Sequence, residues 1–257
     1  MSLMKLSARL RAHDWTAAVI ELLIVILGIL IALQVSNWNQ DRLDRARADS
    51  YYLRLQDELS ADRRAMDAAQ GFWGQVAGFG RAAIAHSETG QLVDGSKWKT
   101  VLAYYHGSQI MPLELEDTTF NEMRDGGDLA LIADENLRKQ LADFYRLTGT
   151  GMRAHILRHD PAYRIQVRGL TPTPVQEYIW KRCFRQLEGT NQQLIDCPPP
   201  ISEDEAGKIL ATYRAAPSLL ENLRYWNSTL AVSAIVVEGA RQQATGIAAD
   251  VEKARAR

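Results

Sequence analysis

The chain has 257 residues, with 30 Lys plus Arg set against 31 Asp plus Glu and a formal net charge of −1. That length admits one large domain or two small ones with a real core, and the balanced charge gives no basic field to draw in nucleic acid. With 46% hydrophobic residues, 24% charged residues and 8 Pro, the composition is that of a folded chain, not a disordered one.

Residues 1–15 form a short polar tail before the densest apolar block. From Ala17 to Val35 the sequence reads AAVIELLIVILGILIALQV, with only Glu21 and Gln34 strongly polar. A bilayer core of about 30 Å needs roughly 20 helical residues, so residues 16–38 are read as a transmembrane helix. Trp15 and Trp38 flank it. Their spacing corresponds to about 34 Å at 1.5 Å per residue, which places one indole near each interface, with Asn37 and Asn39 among the headgroups. A cleaved export signal would have a shorter apolar run of roughly 7–15 residues and a small-residue cleavage site. Neither LIALQ nor LQVSN offers one. A buried core helix, for its part, is rarely apolar around its whole circumference.

Orientation is less sharply written. Lys5, Arg9 and Arg11 precede the span and Arg42, Arg45 and Arg47 follow it, so cation counting ties. A short tail and a single early span resemble an uncleaved signal-anchor, which would put residues 39–257 outside the cytoplasm. About 15 residues before the span are too few for a cytoplasmic output domain. Cys183 and Cys197 favour the same side. They bracket FRQLEGTNQQLID, a polar loop that a disulfide would close for about 3 kcal/mol, and such a pair suits an oxidising periplasm. Two unrelated buried thiols are the competing reading.

Within the span, Glu21 is costly in lipid and points to a partner or a wet path. Gly28 and Ala32 form a small-xxx-small pair and fall on the same face as Glu21. The functional reading is a docking stripe for a second copy or for another membrane protein, within an intramembrane interaction face of Glu21, Gly28, Ala32 and Gln34. The bland one is that Glu21 snorkels to the headgroups and Gly28 is incidental.

Beyond Trp38 no turn interrupts the helical pattern, with Leu43, Tyr52, Leu55, Leu59, Met66 and Trp73 at spacings near three and four. Gly71, Gly74, Gly78 and Gly80 are expected to weaken that stalk, and HSETGQLVDGS to form a loop. A short helix with Trp98, Leu102 and Tyr105 follows, then an irregular QIMPLELED. Thr119 and Glu122 stand at capping-box spacing, and Gly126-Gly127 stop that segment. Asp134 caps a helix whose buried face holds Leu137, Leu141 and Phe144 or Tyr145. Thr173-Pro174 opens a helix through Tyr178 and Phe184, and Ser202-x-x-Glu205 caps another after three prolines. The last helix begins at Pro217. Its seam runs Leu219, Leu223, Trp226, Leu230, Ser233, Val237, Ala240, Ala244, Ile247 and Val251. The expected partner of that seam is the stalk of residues 40–80, the alternative being a coiled coil between copies. Strand-like alternation is nearly absent, so the fold class is all-α: one N-terminal transmembrane helix continuing into an extramembrane helical bundle.

Residues 21–40, ELLIVILGILIALQVSNWNQ, resemble the entry signature of a bacterial family, domain of unknown function 6090, whose members look like E-x-x-L-x-x-x-G-I-L-x-A-L-Q-x-x-N-W-N-x. Residues 118–145 are similar to its central segment, although Gly126-Gly127 stands where Ser-Gly is more usual. The resemblance covers about a quarter of the chain. It implies a single-pass bacterial membrane protein with a helical body and no assigned activity, and it gives joint weight to Glu21, Gly28, Gln34, Asn37, Trp38 and Asn39.

No motif announces a reaction. His155 and His159 share a helix face but lack further metal ligands at recognisable spacing. GFWGQVAGFG has glycines without the Lys-Ser/Thr of a phosphate loop. Asp57-Glu58 and Glu114-Glu116-Asp117 read as solvated faces and loops, and Trp73, Trp98, Trp180 and Trp226 as core. The expectation is a bacterial inner-membrane interaction protein, a scaffold or accessory subunit without catalysis or cofactor, its bulk in the periplasm. Its partners would be the lipid bilayer and either itself or another membrane protein. The alternative is a helical small-molecule sensor acting through a membrane partner.

Overall fold

The computed structural model describes residues 15–148, 160–187 and 191–256. The chain divides into two compact units, Met1–Tyr51 and Tyr52–Arg257. Among the described residues there are eight α-helices and one two-stranded sheet, so the fold is all-α as the periodicity predicts.

Helix α1, Trp15–Thr89, runs without a break through both units. In the second unit it is joined by α2 (Lys97–His106), α3 (Thr118–Gly126), α4 (Glu135–Arg146), α5 (Ala162–Leu170), α6 (Thr173–Arg182), α7 (Glu203–Arg214) and α8 (Pro217–Arg255). The core side chains of α1 are those its spacing predicts: Tyr52, Leu55, Leu59, Met66 and Trp73 are all buried. Leu43 is not; it is exposed. The four glycines expected to weaken α1 do not end it. A helix interior tolerates each glycine at a cost of roughly 1 kcal/mol when tertiary packing holds its other face. The loop therefore starts at Gly90 and not within HSET.

Local signals fix most other ends. Asp134 accepts from the amides of Asn136 and Leu137, and Ser202 and Glu205 make the full capping box. Gly127, at φ +77°, takes the left-handed position that closes α3. Two expectations fail. Thr119 and Glu122 do not cap α3, whose N-cap is Asp117 without a side-chain bond. Instead Oε1 of Glu58 accepts from the amide and hydroxyl of Thr119, at 2.9 and 2.6 Å. And α6 ends at Arg182, so Phe184 opens β1 (Phe184–Gln186), which pairs antiparallel with β2 (Gln192–Leu194). The segment between the cysteines thus holds a hairpin where a plain loop is expected.

Along α8 the ten buried positions are the ten seam residues, from Leu219 to Val251. The helix lies antiparallel to the Asp67–Glu88 stretch of α1: Arg241 meets Asp67 at 3.6 Å, Gln70 donates to the Ala234 carbonyl at 3.2 Å, and Arg224 meets Glu88 at 2.6 Å. Helices α4, α5 and α7 also pack against α8. Aromatic rings fill the centre, with Trp98, Tyr104, Tyr105, Phe144, Tyr163 and Tyr213 all fully or nearly buried.

Candidate functional site: an unburied apolar helix

The first unit carries the feature that sets this chain apart. Within α1 an 18-residue apolar window reaches a mean hydropathy of 2.7, and none of it is buried. Leu22, Ile24, Leu27, Leu30, Leu33 and Val35 are each more than half exposed, on every side of the helix. Trp15 and Trp38 are also exposed, at 74% and 62%. Among the described residues one helix is thus long and apolar enough to cross a membrane. A core helix of the same composition would be covered by its own chain.

Polarity begins abruptly at Gln34. Gln34, Asn37, Trp38 and Asn39 are exposed. The next turn closes its own bonds: Arg42 donates to Asn39, Gln40 to Asp44, and Arg45 to the Asp41 carbonyl. Gly28 opens a shallow apolar groove lined by Ile20, Leu23, Ile24, Leu27 and Ile31. A Cβ at Gly28 would meet nothing within 4 Å. At 100° per residue, Glu21 and Ala32 stand within about 40° of Gly28 on the helix circumference. They flank the groove without lining it.

Comparisons with family models, with curated proteins and with solved structures find no match.

The resemblance at residues 21–40 and 118–145 accordingly rests on those residues alone.

In the second unit, Cys183 and Cys197 are joined in a disulfide, with Cα atoms 5.2 Å apart and the β1–β2 hairpin between them. The indole of Trp98 donates to the Cys197 carbonyl at 2.9 Å, tying the crosslink to α2. Trp73 and Trp226 likewise donate to backbone carbonyls, of Met111 and Gly107. These three indoles are core; Trp180 alone of the four is substantially exposed, at 36%. His155 and His159 lie outside the described residues. Among the described residues no group of three or more His, Cys, Asp or Glu side chains could hold a metal ion.

Sequence reading misses two polar clusters. The first corrects the solvated-face reading of Glu58. Glu58 holds the start of α3, while Asp62, 1% exposed, accepts from the Glu116 amide at 2.7 Å. Oε2 of Glu58, Oδ2 of Asp62 and the hydroxyl of Tyr145 are all buried without a hydrogen-bond partner among the described residues. Burial, aided by the charges of Glu58, Glu116 and Asp117 and opposed by the Glu116 amide, pushes the Asp62 carboxyl up to about 7. Burial and the charges of Asp62 and Glu58 raise the Tyr145 phenol too. A signal was present: Asp62 occupies a seam position in the series Leu55, Leu59, Asp62, Met66, where only apolar residues belong. The second cluster is a pair of arginines on α5, a helix the sequence reading does not anticipate.

Proposed function

We propose that this chain is a single-pass bacterial inner-membrane protein that works by interaction, as a scaffold or accessory subunit, and not by catalysis. The observation that carries this is the unburied apolar window on α1. Exposing some twenty apolar residues to water is prohibitive, whereas lipid or another membrane helix accepts them without penalty. The continuation of the same helix into the core of the second unit supports an uncleaved anchor, because cleavage after the apolar block would cut inside α1.

The bonded Cys183–Cys197 pair supports an oxidising compartment, hence a periplasmic body. In the membrane the docking face is the stripe of Glu21, Gly28 and Ala32. The absence of a Cβ at Gly28 lets another helix approach closely, and a carboxyl at Glu21 needs a polar partner in lipid. Purification of the full-length chain from native membranes in mild detergent should bring down a stoichiometric membrane partner or a defined homo-oligomer. Glu21→Leu should weaken that assembly. Unchanged co-purification of the variant would remove the stripe from the account, and a strictly monomeric chain would remove the interaction role itself.

A further inference from the structure

Helix α5 brings two guanidinium groups to one place. Arg164 and Arg168 sit one turn apart and donate to the same acceptor, Oε1 of Gln109, at 3.5 and 3.1 Å. Arg164 also donates to the Ser108 carbonyl at 2.9 Å. Gln109 is 1% exposed. With its oxygen turned to both arginines its orientation is fixed, and its Nε2 is buried without an acceptor among the described residues. The Arg168 guanidinium lies in the corner formed by two edge-on aromatic rings, 5.2 Å from the centroid of Tyr105 and 4.9 Å from that of Trp180.

The charges do not balance. Asp160, itself 55% exposed, pairs with Arg164 at 3.1 Å, and among the described residues no carboxylate forms a salt bridge with Arg168. Burial and the neighbouring Arg164 lower Arg168 to about 10, which leaves it cationic at neutral pH. Holding two half-buried cations together costs a folded chain stability unless negative charge answers them. The missing element is an acceptor with negative charge. The fork of a guanidinium matches the paired oxygens of a carboxylate or phosphate, and the contacts with Tyr105 and Trp180 hold Arg168 in place.

We propose that Arg164 and Arg168, positioned by Gln109, form a binding site for the oxyanion group, carboxylate or phosphate, of a small molecule. The site lies wholly in the second unit and stands independently of the membrane reading. The test is a calorimetric titration of the full-length chain in detergent micelles with sodium phosphate and, separately, sodium succinate, each against sodium chloride at matched ionic strength. The expected result is one saturable site per chain for at least one of the two anions, and the stronger of the two names the oxyanion. Arg168→Gln should weaken that binding by on the order of tenfold or more, and Arg168→Lys, which keeps the charge without the fork, by less. Absence of saturable binding of either anion beyond chloride overturns the proposal. So does binding that persists unchanged in a folded Arg168→Gln chain. The wild-type titration decides by itself should a variant fail to fold.

Discussion

Gly80 and Gly107 meet backbone to backbone: a Cβ on Gly107 would stand 3.1 Å from the amide nitrogen of Gly80 and 3.2 Å from its Cα. This is where α1 crosses the end of α2, and α8 closes over the crossing. Trp226 donates to the Gly107 carbonyl at 3.0 Å, and Leu223 and Asn227 face Gly80 from the other side. Three helices approach within the width of a missing methyl group.

Gly107→Ala should therefore destabilise the second unit by about 1–3 kcal/mol, since backbone on both sides has to move. Gly74→Ala is the control. Nothing lies within 4 Å of a Cβ there, so the gain in helix propensity should stabilise by up to about 1 kcal/mol. Thermal unfolding followed by circular dichroism separates the two, and equal effects would contradict the crossing.

Asp62 makes stability pH-dependent in the direction opposite to an ordinary surface carboxylate. Folded, it holds its proton up to about pH 7; unfolded, it releases it near its ordinary value of 3.8. Its contribution is fully present below 3.8 and is lost as pH rises through 7. Asp62→Asn keeps the oxygen that accepts from the Glu116 amide and removes the titration. The wild-type chain should lose stability relative to the variant between pH 4 and 7, with a slope of at most about 1.4 kcal/mol per pH unit. Parallel denaturant midpoints for the two chains across that range would refute the assignment.

The Cys183–Cys197 bond closes a short segment, and reducing it should lower unfolding free energy by about 3 kcal/mol. Because Trp98 donates to the Cys197 carbonyl, reduction should also alter the near-ultraviolet signal of a tryptophan that is 1% exposed. Cys183→Ser with Cys197→Ser should reproduce both changes. A double variant that melts with the oxidised chain would show the crosslink to be incidental.

What was legible in the sequence was whatever a short-range rule controls. The seam of α8 could be read to the residue because one long helix offers one periodic face, and Asp134, Ser202-Glu205 and Gly127 announce their helix ends through local chemistry. Contacts between distant segments stayed hidden. Nothing near Thr119 says that Glu58, 61 residues earlier, will hold its amide and hydroxyl. Gly80 reads as a helix weakener until the partner at Gly107 is known. The arginine pair escaped for the same reason, since Gln109 joins it from a different segment. Of the candidate membrane face, the composition was plain, but the groove at Gly28 depends on how neighbouring Ile and Leu side chains stand around it.

The central claim is tested most directly by alkaline carbonate extraction of membranes from cells expressing the full-length chain. An integral anchor predicts that the protein stays in the pellet, and that removing residues 1–38 releases it to the supernatant. Full-length protein recovered in the soluble fraction, or a mature chain whose first residue lies beyond Trp38, would contradict the account.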